Sequence, residues 1–300
     1  MLLRHIRYLL AVAEHQNFTR AAEELHISQP TLSQQIRQLE ESLRVQLFDR
    51  SGRTVRLTDA GEVYTNYARR ALQDLDAGQR AIHDVQDLSR GLLRLAMTPT
   101  FTAYFIGHWV ERFNALYPGI TLNIKEMTQD QIEASLAENQ LDLGIAFSEV
   151  RSPDIDSEPL FTETLSLIVG QSHRLIGQQT SLTAKMLEHE GLALLSKDFA
   201  TRNHIDLYFQ KQGITPHIAI EANSVSAIVE IIRRGRLATL LPDVIAHEQA
   251  GLYSIAIRPT LPQRNAVLLW RRSAYRSAAS QAFANLITHR FDVRQESDDF

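Results

Sequence analysis

The stretch FTRAAEELHISQPTLSQQIRQLE, Phe18 to Glu40, decides the N-terminal fold. Phe18, Ala21, Ala22 and Leu25 share one helical face, Leu32, Ile36 and Leu39 share another, and His26-Ile27-Ser28 breaks the rhythm between them. Ser28 can accept a free backbone N–H of the second helix. Pro30 falls in its first turn, where a missing N–H costs nothing, so this helix is predicted to begin at Gln29. Ala21 and Ala22 are small enough for a close helix crossing, and the tight connection has helix-turn-helix spacing. The second helix turns Gln29, Thr31, Ser33, Gln34, Arg37 and Gln38 outward, beside Pro30. An outward face meant only for solvent more often carries Lys–Glu pairs. Amides and hydroxyls both donate and accept, which reading base edges in a major groove requires. An amide-rich face also occurs by chance, so the flanks decide.

Upstream, Ile6, Leu9, Leu10 and Ala13 supply a third helical face and complete a small trihelical domain. Downstream, Ser51-Gly52 is a hairpin signal between two short extended pieces, Leu47 to Arg50 and Arg53 to Leu57. The result is a wing whose arginines, Arg50 and Arg53 among them, can meet phosphates, against the plainer reading of a solvated turn. The net charge of −4 argues against a polyanionic partner, yet Met1 to Leu57 holds eight arginines against six acids. A local basic stripe therefore exists on an acidic chain.

From Thr58 to about Arg90 the chain runs without proline, and Thr58 or Asp59 can cap it, Asp59 and Glu62 having capping-box spacing. Tyr64, Tyr67, Ala71, Leu75, Gly78, Ile82 and Val85 recur at alternating steps of three and four, the spacing of a helix–helix seam. The segment is either a helix packed on its own domain or a dimerisation helix and linker. A helix this long is marginal without a partner, which favours the second. Residues 1–58 are thus expected to form a winged helix-turn-helix, 59–90 a linker helix and 91–300 a further domain.

In that domain Leu92–Met97, Ile120–Glu126, Leu141–Phe147, Gly191–Leu195, His217–Glu221, Leu237–Leu241 and Ala266–Trp270 read as strands, most followed by an amphipathic stretch. Such alternation predicts an α/β domain with a largely parallel sheet, whose ligands sit outside the carboxyl ends of strands. Thr98-Pro99-Thr100, Thr128, and Ser196 with Phe199 to Arg202 stand at those ends, each where a helix opens. Hydroxyls and free N–H groups there bind small anions. Each is also explained by simple capping, and their convergence favours a ligand. Arg202 can neutralise an anion or form a surface ion pair.

Other chemistries are poorly supported. With no cysteine, disulfides and thiolate sites are excluded. His247-Glu248 opens like a zinc-protease helix but has Gly251 where the second histidine must be. There is no nucleophile elbow, phosphate-binding loop or dinucleotide turn, so no enzyme activity, cofactor or metal is expected. The N-terminus has no signal-peptide pattern and no run reaches a membrane span, so a cytoplasmic protein is expected. A periplasmic solute-binding protein would need a signal peptide and no DNA-reading helix. An architectural DNA-binding protein would have no use for the α/β domain of residues 91–300.

Phe18-Thr19-Arg20-Ala21-Ala22, Leu25 to Ile36, Leu39-Glu40, Leu47-Phe48-Asp49-Arg50 and Leu57-Thr58-Asp59-Ala60-Gly61 resemble the signature of LysR-type transcriptional regulators. The resemblance implies a homo-oligomer, a dimer or tetramer, that binds promoter DNA and changes its contacts when a small coinducer binds. It implies an effector domain of two subdomains similar to periplasmic binding proteins, here about 91–162 with 267–300, and about 163–266. It also implies ligand contacts at Thr98, Thr100, Thr128, Phe147, Ser196, Phe199 and Asn223. Within the family, Thr98-Pro99-Thr100-Phe101-Thr102, Phe199-Ala200-Thr201-Arg202 and Glu221-Ala222-Asn223-Ser224 are most similar to cyanate-operon activators, implying an activator that works beside RNA polymerase. Residues from about Ser172 to Glu190 and the tail after Arg290 depart from that pattern.

Overall fold

The computed structural model describes residues 3–52, 54–84, 88–176, 182–272 and 274–295. The chain divides into two units, Met1–Ile82 and His83–Phe300.

The first unit contains helices α1 (Leu3–His15), α2 (Phe18–Glu24) and α3 (Gln29–Leu43), strands β1 (Phe48–Asp49) and β2 (Arg56–Leu57), and most of helix α4 (Asp59–Asp84). Leu9, Val12, Leu32, Ile36, Leu39 and Leu47 form its fully buried centre. Truncating any one to alanine would cost roughly 2 to 5 kcal/mol. The Asn17 side chain caps α2, accepting from Thr19 and Arg20 N–H. Ser28 caps α3 by accepting from Thr31 N–H at 3.3 Å. In the turn between them His26 takes a left-handed φ of 54°, a conformation few non-glycine residues adopt. α4 begins at Thr58, whose hydroxyl accepts from Gly61 N–H and donates to Gln46 C=O, so the expected Asp59–Glu62 box is not the cap. Gly61 is required by close approach, since a Cβ there would run into the Leu47 carbonyl.

The wing differs from the two-residue turn expected at Ser51-Gly52. β1 and β2 pair only through Phe48 with Leu57 and Asp49 with Arg56, leaving Arg50 to Val55 as the connection. The Asp49 carboxylate accepts from both the N–H and the hydroxyl of Ser51, and closes the loop's first turn.

The second unit runs β3 (Gly91–Met97), α5 (Pro99–Tyr104), α6 (Ile106–Leu116), β4 (Ile120–Glu126), α7 (Gln129–Ala137), β5 (Leu143–Phe147) and β6 (Ile155–Gly170). It continues through β7 (Leu182–Thr183), β8 (Gly191–Leu195), α8 (Ala200–Gln212), β9 (His217–Ala222), α9 (Val225–Arg234), β10 (Ala238–Pro242) and α10 (Asp243–Glu248). β11 (Leu252–Ile255), β12 (Ile257–Arg258), β13 (Gln263–Arg271) and α11 (Ala278–Gln295) complete it. One sheet order, β4-β3-β5-β13-β6-β10-β8-β9, joins two half-sheets through β6. β3 runs parallel to β4 and β5, and β8 parallel to β9 and β10, whereas β6 and β13 are antiparallel to their neighbours. Leu93, Leu95, Phe101, Phe113 and Phe283 fill the first half's core, and Leu167, Leu187, Leu194, Ile205 and Leu240 the second's.

β6 was not legible in the sequence. Its first half carries Asp156, Glu158 and Pro159, residue types depleted in strands. Pro159 is tolerated because the ladder shifts register opposite Ala266 and Val267. β6 passes from β13 to β10 between Thr164 and Leu165, and Gln263 to Ala266 already pair with the first half-sheet. The chain therefore leaves the first half-sheet after Thr164 and pairs with it again from Gln263. Among the described residues no helix is long and apolar enough to cross a membrane.

Candidate functional site

In the first unit α3 buries Leu32, Ile36 and Leu39 and exposes Gln29, Pro30, Thr31, Gln34, Arg37 and Gln38, with Ser33 half-buried. The expected polar face is therefore presented to solvent. Thr31 is partly engaged, its hydroxyl lying 2.8 Å from that of Ser28. Arg50 is exposed but already engaged within the unit. Its guanidinium donates to Glu40 Oε2 at 2.7 Å and lies 5.1 Å from the centre of the Phe18 ring. Glu40 is buried, and its Oε1 accepts from the N–H groups of Leu47 and Phe48. Glu40 thus satisfies the backbone entering the wing, and Arg50 balances its charge. Arg53 lies outside the described residues, while Arg56 is exposed on β2.

Along α4, Thr65 and Ala68 face the domain core, while Val63, Tyr67 (68% exposed) and Leu75 (52% exposed) face away from it. Ala71 and Gly78 are exposed too, and Tyr64 is half-buried. An apolar groove lined by Leu43, Val45, Leu47, Val63, Tyr64 and Tyr67 adjoins this face. Val85 and the side chain of Ile82 lie outside the described residues.

In the second unit, a cavity of about 360 Å3 opens at the carboxyl ends of the strands. Of the expected contacts, Thr98, Thr100, Thr128, Phe147 and Phe199 line it. Thr98 and Thr100 are almost completely buried, and neither hydroxyl has a hydrogen-bond partner among the described residues. The Ser196 hydroxyl is likewise buried and unpaired among the described residues, although Ser196 is not one of the residues that line the cavity. Thr128 is different, because its hydroxyl and the Gln131 side chain form a capping box on α7. Phe199 caps α8 without a side-chain bond, and Ala200 and Thr201, the first residues of that 13-residue helix, line the cavity.

Two expected residues are elsewhere. The buried Arg202 side chain donates to Asp206 at 2.8 Å, to Glu221 at 2.7 Å and to the Leu195 carbonyl at 2.7 Å. It ties the start of α8 to the ends of β8 and β9, and its charge is balanced inside the protein. Asn223 is exposed in the turn before α9 and does not line the cavity.

Other lining residues went unrecognised. Gln129 clamps the end of β5, accepting from Phe147 N–H and donating to the carbonyls of Phe147 and Glu149. Buried Glu133 accepts from the N–H groups of Arg151 and Ser152 and fixes the same loop. His204 lines the cavity with its Nδ1 buried and unpaired. Burial holds its pKa below the usual histidine value, against the opposing pull of Glu149. Behind Phe147 and Thr201, Arg264 pairs with Glu163, which also accepts from the Tyr104 hydroxyl at 2.5 Å. Burial drives the Tyr104 hydroxyl pKa far up and pulls Arg264 down to about 10. Only Thr201 carried a sequence signal, as part of Phe199-Ala200-Thr201-Arg202. Glu163 and Arg264 are isolated polar letters whose meeting depends on the pairing of β6 with β13, and His204 reaches the cavity only through the placement of α8. Among the described residues no side-chain cluster fit for a metal ion is found.

Residues 3–62 match "Bacterial regulatory helix-turn-helix protein, lysR family" and residues 86–292 match "LysR substrate binding domain". The chain is 29% identical over 288 residues to the RuBisCO operon transcriptional regulator of Allochromatium vinosum, covering 95% of each protein. It is 30% identical over 255 residues to the transcriptional activator CmpR of Synechocystis sp., covering 85% of this chain and 80% of that one. A solved structure of a full-length OxyR variant from Pseudomonas aeruginosa matches with a TM-score of 0.71 and 25% identity, over 96% of this chain and 94% of that one. Full-length CbnR complexed with its target DNA shares the fold with a TM-score of 0.68 and 23% identity, over 96% and 99%. These relatives are named as transcriptional regulators and not as enzymes. The chain belongs to the LysR family of DNA-binding transcriptional regulators.

Proposed function

We propose that this regulator activates transcription from the cytoplasm when a small anion, cyanate or an ion of similar chemistry, occupies the cleft of its second unit. The observation that carries this reading is the set of buried, unpartnered hydroxyls of Thr98, Thr100 and Ser196 at the ends of β3 and β8. A buried unsatisfied polar group costs about 1 to 3 kcal/mol, a cost that an acceptor ligand removes. A three-atom anion has too little apolar surface to bind by burial, so oriented donors must hold it. Thr128 and Phe199 complete the wall, with the uncapped start of α8 beside them.

On the DNA side, Gln29, Thr31, Ser33, Gln34 and Arg37 would reach base edges and phosphates, with Pro30 setting the entry of α3 and Arg53 serving the wing. The exposed apolar face of α4 supports assembly as a homo-oligomer, dimer or tetramer. Promoter DNA and RNA polymerase are then the partners.

A second reading, a carboxylic acid with an aromatic body, is supported by the cavity volume of about 360 Å3 and by Phe147 and Phe199 on its wall. DNase footprints on promoter DNA separate the two. A footprint that shifts with cyanate, competes with azide and stops responding in Thr100→Val supports the small anion. One that shifts with an aromatic acid and stays fixed in saturating cyanate rejects it. No response to any acid would favour an effector-independent architectural role.

A further inference from the structure

Arg264 reaches the cleft from behind. It is the second residue of β13, is buried, and uses its guanidinium in three ways: one nitrogen pairs with Glu163, another donates to Thr201 Oγ1 at 2.9 Å, and the central carbon lies 4.1 Å from the centre of the Phe147 ring. Its Nε has no partner among the described residues. Thr201 and Phe147 both line the cavity, so two of these contacts end on the wall a ligand touches.

The donor–acceptor inventory makes this arrangement directional. A guanidinium only donates, so Thr201 Oγ1 is the acceptor in that bond and its own proton is left for another acceptor. Thr201 is almost fully buried, and no acceptor for that proton is found among the described residues. Glu163, which also accepts from Tyr104, takes one terminal nitrogen of Arg264, and the other is left to donate to Thr201. The guanidinium keeps its proton at neutral pH, since its pKa is about 10. A hydroxyl polarised by a cation in a water-poor wall is a stronger donor than an isolated one. The cavity rim is opposite in character. Asp130, Glu149 and Asp198 outnumber Arg151, which is itself paired with Asp130 at 3.3 Å. Attraction for an anion must therefore come from the interior wall.

We propose that Thr201, polarised by Arg264 behind it, is the specificity-determining donor that makes this cleft select anions over neutral molecules of the same shape. Arg264 is the positioning residue and acts through that hydroxyl. The inference deepens the small-anion reading above and rests on it for the identity of the probe.

The test is titration calorimetry of the full chain with cyanate, azide, benzoate and the neutral benzamide. Thr201→Val keeps the shape and removes the hydroxyl, and should weaken the bound anion about ten- to hundredfold, the loss expected for one charge-assisted donor. Thr201→Ser should restore it to within about threefold, a rescue that a purely structural threonine would not show. In an Arg264→Met, Glu163→Met background, which removes both buried charges together, adding Thr201→Val should cost less than about twofold more. Thr201→Val binding anion as tightly as wild type overturns the proposal, as does an undiminished Thr201→Val penalty in the double-methionine background. If the wild type binds benzoate but neither cyanate nor azide, the small-anion reading falls alone. The proposal is then judged by the preference for benzoate over benzamide, and its survival in Thr201→Val is fatal. A wild type that binds no anion of the panel rejects both.

Discussion

Removing Glu40 should unlatch the wing. Its Oε1 is the acceptor for the N–H groups of Leu47 and Phe48, at 2.9 and 3.2 Å, and its Oε2 takes the Arg50 guanidinium at 2.7 Å. Glu40→Ala leaves two buried donors unsatisfied at about 1 to 3 kcal/mol each. The ion pair adds little, because the Arg50 side chain is 32% exposed. The expected total is about 2 to 6 kcal/mol, most of it from the backbone. Glu40→Gln keeps an oxygen for both N–H groups and should cost only about 1 kcal/mol. Hydrogen exchange of a peptide spanning Leu47 and Phe48 reads this directly, and 3 kcal/mol corresponds to opening about a hundredfold more often. Arg50→Ala should raise exchange modestly, by about 1 kcal/mol including the ring contact with Phe18. It should leave the salt dependence of DNA binding unchanged, whereas losing the exposed Arg56 should flatten the slope by about 0.9 if it meets a phosphate. Arg50→Ala flattening that slope while exchange stays at the wild-type rate would refute this reasoning and return Arg50 to the DNA interface.

Gln34→Ala should reduce discrimination among DNA sequences by about 1 to 3 kcal/mol without lowering the melting temperature, as read by competition binding. Tyr67→Glu with Leu75→Glu places charges on the exposed apolar face of α4, and light scattering should then show a smaller assembly with weaker DNA binding; an unchanged mass rejects that face as an interface. His173 and His204 both have their pKa lowered, by burial first, from an ordinary value of 6.5. The unfolded chain therefore binds these protons at higher pH than the folded one, so their stabilisation is complete above about pH 6.5 and is lost as pH falls below it. The second unit's melting temperature should drop between pH 7 and 5, and replacing both histidines with glutamine should shallow that drop.

The sequence by itself determined what depends on local rules. Helix α3 had to start at Gln29 because Ser28 and Pro30 fix its first turn, and its buried face followed from three apolar residues at helical spacing. Thr98, Thr100, Thr128 and Phe199 were legible as cleft residues because each follows a strand where a helix opens and an α/β sheet leaves its ligand crevice, whereas Phe147 was indicated only by the family resemblance. The tertiary structure alone decided what depends on partners distant in the chain. In the sequence Arg50 is open to a phosphate and Arg202 to an anion or an ion-pair partner, and only the fold shows the carboxylates that hold both and the Leu195 carbonyl that holds Arg202. Glu163 meets Arg264 across 101 positions of sequence, because β6 and β13 pair antiparallel at the crossover between half-sheets. A charge's partner is set by where the backbone returns, and that return is governed by the burial of the whole sheet and not by any short stretch of residues.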